Sequence, residues 1–183
     1  MIMTEWTQAD AMAELDPFFD QLDLICRGGV ARYREYPPEL LIEHDSRTTA
    51  NCIYSHMVTL AGAHLTDQPG IVHKVIRGLK VWIIGDRATI RFKRMDEDGR
   101  SRNYLTKQAR DFDRQLPLPG FPLPPLNLVV GYLPDPTGTV VERVQVAKPA
   151  GKTIDWCAAI VPTSDRIVGQ PRWIDVTRQA RAF

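Results

Sequence analysis

The sequence predicts an α+β fold: N-terminal helices packed on a mainly antiparallel sheet of about five strands, with one short helix inserted. Three observations carry this. Apolar residues recur at three- and four-residue steps up to about residue 68. They alternate in the hairpin-like stretch 79–93 and again between residues 126 and 160, and a proline-rich connector separates these two β-rich blocks. The 183-residue chain is 44% hydrophobic and 25% charged, which suits one globular core rather than disorder. The expected organisation is a single domain over 1–162, helical over 1–68 and β-rich over 71–162, followed by a polar tail over 163–183.

The first helix is expected over "DPFFDQLDLICRGG", where Asp16 caps, Pro17 suits the first turn and Gly28-Gly29 stops the run. "EYPPELLIEH" is a turn entering a short apolar segment, since a residue before proline is pushed out of the helical region. In "SRTTANCIYSHMVTLAGAHL" a stripe of Ala50, Ile53, Met57, Leu60, Ala61 and His64 makes a second, core-facing helix. "GLKVWIIGDRATIRFKR" reads as a hairpin turning at Gly85-Asp86, and "TKQARDFDRQL" as a short helix capped by Thr106. Five prolines between 117 and 125 form an extended, stiff connector. "LNLVVGYL", "TVVERVQVA" and "TIDWCAAI" complete the strands, and Trp173, Ile174 and Phe183 are docking points in the tail.

Several functional classes lose support at once. No apolar run is long enough for a spanning helix. The first residues carry acids and no Lys or Arg, unlike a signal or transit peptide, so the chain reads as cytoplasmic and not membrane-bound. Cys26, Cys52 and Cys157 form no CxxC pair, and the expectation is three reduced thiols, mostly buried. Cys52 and His56 stand four apart on one helix, but a metal site needs further ligands and only Glu43, His44 and Asp45 lie nearby. Neither a GxSxG elbow nor a phosphate loop is present. The expectation is therefore no catalytic residue, no metal and no cofactor.

Charge supplies the candidate site. From Met1 to Cys26 the charged residues are Glu5, Asp10, Glu14, Asp16, Asp20 and Asp23, all acidic, whereas Lys74 to Arg114 is predominantly basic. A turn at Gly85-Asp86 sets Lys80 opposite Arg91 and Trp82 opposite Thr89. The non-core face of the hairpin then carries Lys80, Trp82, Arg91 and Lys93, joined by Arg100, Arg102, Asn103, Lys107 and Arg110 from the adjoining loop and helix. Cations interleaved with an aromatic suit a protein partner, or the phosphates and bases of nucleic acid. The competing reading is a solvated face paired with Asp96, Glu97, Asp98, Asp111 and Asp113. A nuclease reading asks Asp86 or Asp96 to converge with Glu142 beside Lys93, but Arg91 takes the acid position in "RFK".

"RFKRMDEDGRSRNYLTKQARDFDRQLPLPG", "GYLPDPTGTVVERVQVAKP" and "DWCAAI", within residues 35–162, resemble a small uncharacterised bacterial family. Its genes sit beside helix-turn-helix regulators with a zinc-peptidase-like domain, in toxin–antitoxin, mobile-element and phage-defence loci. The resemblance implies a protein that binds a partner encoded nearby and assigns no residue a role. The leading expectation is a non-catalytic protein-binding component of such a module. The alternative is a toxin-like nucleic-acid-binding protein or metal-dependent nuclease. A homodimer pairing the acidic arm of one copy with the basic face of another is a further expectation.

Overall fold

The computed structural model describes residues 6–101, 106–121 and 125–178. Four helices precede the sheet: α1 (Gln8–Leu15), α2 (Phe19–Arg34), α3 (Pro38–Glu43) and α4 (Ser46–His64). Strands β1 (Ile71–Ile76), β2 (Leu79–Ile84) and β3 (Ala88–Arg94) follow. After α5 (Lys107–Asp113) come β4 (Leu126–Pro134), β5 (Val141–Ala150), β6 (Thr153–Ile160) and β7 (Trp173–Asp175). The seven strands form one sheet in sequence order, antiparallel throughout except for the parallel β3–β4 pair. A parallel neighbour requires a crossover, and α5 with the proline connector provides it.

The α+β class is as expected, but the sheet has seven strands where about five were expected. In β1 the polar pair His73-Lys74 interrupts the apolar alternation, and β7 is only three residues long. The first helix also differs. A separate α1, closed by a reciprocal Thr7–Asp10 capping box, precedes the Asp16-Pro17 turn. Moreover, α2 runs straight through Gly28-Gly29 to Arg34. These glycines serve packing: a Cβ on Gly29 would lie 2.5 Å from Met57 Cγ, so its absence lets α2 and α4 approach closely.

The main core lies between helices and sheet. Leu15, Phe19, Leu22, Ile25, Met57 and Leu60 meet Trp82, Ile90, Phe92, Leu128, Val130, Val144 and Val146. A second cluster on the outer sheet face gathers Val81, Met95, Phe112, Leu118, Val129, Ala147 and Cys157 under α5 and the connector. Both faces are thus covered, which is why the central strands read as nearly continuous apolar runs. Leu118 anchors the connector in this cluster.

Of the polar tail expected over 163–183, residues 163–178 return along the domain, while Phe183 lies outside the described residues. β7 pairs with β6, Arg172 meets Asp16 at 2.7 Å, and Arg166 pairs with Asp20. Farther on, Arg178 pairs with Glu97 on the outer face. Asp23 is held by Arg27 at 3.0 Å. Three acids of the N-terminal region are therefore engaged within the chain.

Candidate functional site

The hairpin expected to carry the site forms, but one residue out of register. Ile84 lies opposite Ala88, Ile83 opposite Thr89 and Trp82 opposite Ile90. The loop is therefore three residues, Gly85-Asp86-Arg87, with Gly85 at φ +58°, and not the two-residue turn. Because side chains alternate, a shift of one residue between partners moves Trp82 to the helical face. It is 1% exposed there, stacked on His73 at 4.7 Å and edge-on to Phe92 at 5.3 Å. The expected alternation of cations with an exposed Trp82 does not form.

Arg91 stays on the outer face but is 2% exposed. Its Nη2 donates to Asp113 Oδ1 at 2.7 Å, and its guanidinium lies 4.6 Å from the centre of the Phe112 ring. Lys93 is half-buried, with its ammonium 5.4 Å from the centre of the Tyr54 ring. Burial, reinforced by Arg91 and opposed by Asp113, brings the Lys93 pKa down to about 8. Arg91 is thus an internal cation and Lys93 a half-buried one, so the two do not stand as a row of fully exposed cations. Lys80, Arg100, Lys107 and Arg110 are exposed. Arg102 and Asn103 lie outside the described residues.

The acidic tetrad after β3 is a tight turn laid on the sheet. Asp96 Oδ1 accepts the backbone N–H groups of Asp98 at 3.0 Å and Arg100 at 2.9 Å. Gly99, at φ +79°, faces Cys157: a Cβ there would lie 2.8 Å from Sγ. Asp86 sits in the turn before β3, Asp96 in the turn after it, and Glu142 on β5. Among the described residues no three side chains of His, Cys, Asp or Glu gather to hold a metal ion. His56 instead faces Tyr36, its Nε2 3.0 Å from the phenol oxygen.

A second surface is the β1–β2 hairpin at one end of the sheet. β1 has β2 on one side and no strand on the other among the described residues. A two-residue turn joins them, with Arg77 at φ +47° and Gly78 at φ +85°, both in the left-handed region as a type I′ turn requires. Val72 and Val75 are 51% and 55% exposed on opposite faces of the strand. Between Gln68 and Gly85 the ionised residues are Lys74, Arg77 and Lys80, with no carboxylate. Lys74 donates to the Gly120 carbonyl and lies 5.4 Å from the Phe121 ring centre. Lys80, opposite Val75, and Arg77 are exposed. The sequence reading found Lys80 but not this strand; the signal that could have found it is the β-branched Ile71-Val72 and Val75-Ile76 between Gly70 and Gly78.

No helix among the described residues is long and apolar enough to cross a membrane. Compared with protein-family models, curated proteins and solved structures, the chain finds no match, so the site's own chemistry carries the functional argument.

Proposed function

We propose that this chain is a non-catalytic binding component whose partner is another protein, taken up along β1 as an added strand. The observation that supports it is the six-residue edge strand with Val72 and Val75 half-exposed on its two faces. Sheet edges template pairing with other chains, and proteins ordinarily blunt them with short strands, bulges, proline or charge. β7, at the opposite edge, is three residues long. β1 carries no proline, and its pairing with β2 is regular over all six positions. Its one cation, Lys74, is tied back to Gly120.

Strand addition supplies main-chain hydrogen bonds, while alternating side chains set specificity. Arg77 and Lys80 favour an extended segment with acidic residues among apolar ones. A partner encoded nearby, as the resemblance to regulatory and defence modules implies, fits this role. The test is affinity capture from the native host, with and without nuclease, using wild type and Val75→Glu. The expected result is a nuclease-resistant protein partner, held at least about tenfold less well by the variant. Recovery of nucleic acid alone, lost on nuclease treatment, contradicts the reading.

A further inference from the structure

A cavity of about 240 Å³ opens where the C-terminal end of α2, the start of α4, the ends of β3 and β4 and the β4–β5 turn meet. At about 30 Å³ per water, it has room for something the size of about eight waters. The β1 edge contributes nothing to its lining, so the two sites are independent.

Its inner wall is built. Tyr33, 4% exposed, places its phenol oxygen 3.1 Å from His44 Nδ1 and 2.9 Å from Thr49 Oγ1, locking α2 to the start of α4. Tyr132 is 2% exposed, and its hydroxyl has no hydrogen-bond partner among the described residues. That hydroxyl is itself enclosed, so it is not the part of Tyr132 presented to the cavity.

The mouth is cationic. Arg34 and Arg94 line it, both exposed and neither with an ion-pair partner among the described residues. No Asp or Glu lines the cavity. We propose that this cavity binds a small organic anion. Arg34 and Arg94 hold its carboxylate or phosphate oxygens. Guanidinium groups favour such oxygens because their planar donor forks match them.

The test is calorimetric titration of the full chain with three probes of similar size: benzoate, phenyl phosphate and neutral benzyl alcohol. The expected result is millimolar or tighter binding of at least one anion and none of the alcohol; which anion binds separates carboxylate from phosphate. Arg34→Gln and Arg94→Gln each weaken it at least about tenfold. Binding of neither anion, equal binding of the alcohol, or undiminished binding by both arginine variants overturns the proposal.

Discussion

Trp82 lies opposite Ile90 across the β2–β3 pair, and this one position of register decides what the hairpin can do. It sends the largest aromatic of the hairpin into the helical core and leaves Lys80 as the exposed neighbour. Trp82→Ala is expected to cost about 3–5 kcal/mol, the range for truncating a large buried aromatic. Lys80→Ala is expected to stay within about 0.5 kcal/mol of wild type. Urea unfolding of the two variants checks both.

Arg91 is a guanidinium in the sheet's outer layer with Asp113 as its ion-pair partner. Removing Asp113 leaves that charge buried and uncompensated, so Asp113→Ala is expected to destabilise by about 3 kcal/mol. Replacing both residues, Arg91→Met with Asp113→Leu, is expected to recover most of the loss, because the buried charge goes with its partner. Urea unfolding of wild type, Asp113→Ala and the double variant measures the difference.

Lys93 makes stability depend on alkaline pH in a definite direction. Its folded pKa of about 8 lies below the ordinary 10.5, so between these values the unfolded chain binds more protons. The penalty for burying the ammonium is therefore full below pH 8 and is relieved as pH rises towards 10.5. Lys93→Met is expected to be more stable than wild type at neutral pH, with the advantage shrinking on going to pH 10. Unfolding free energies of both proteins across that range test the sign.

The three thiols differ in access. Cys26 and Cys157 are buried, and burial pushes both thiols up, Cys157 to about 12. Cys52 on α4 is partly exposed. A thiol reagent at mildly alkaline pH is expected to label Cys52 alone in the native protein and all three after denaturation, because the thiolate is the reactive form. Mass spectrometry of the labelled chain gives the count.

Elements whose signals are local were legible in the sequence. Thr106 caps α5 at the expected position, its side chain accepting from Ala109 N–H, and the Ile53, Met57, Leu60 stripe of α4 is buried as read. Features decided by long-range packing were not. Gly28-Gly29 reads as a stop by propensity, but the approach of Met57 gives it a place inside α2. The Gly85-Asp86 pair fits a two-residue turn locally; the register that forms places Trp82 and Ile84 on the face that meets the helices. The acids Asp16 and Asp20 read as a partner surface because Arg172 and Arg166, which engage them, lie about 150 residues away in sequence. The cavity residues Tyr33, His44, Arg94 and Tyr132 come from four separate segments, and no motif joins them.

The most direct measurement of the central claim is backbone hydrogen exchange over residues 71–76 in the free protein and in the captured complex. Partner uptake as an added strand is expected to slow exchange of the β1 amides that point away from β2, and to leave the cavity residues around Tyr33 and Tyr132 unchanged. A stable complex in which every β1 amide exchanges as in the free protein would contradict the account.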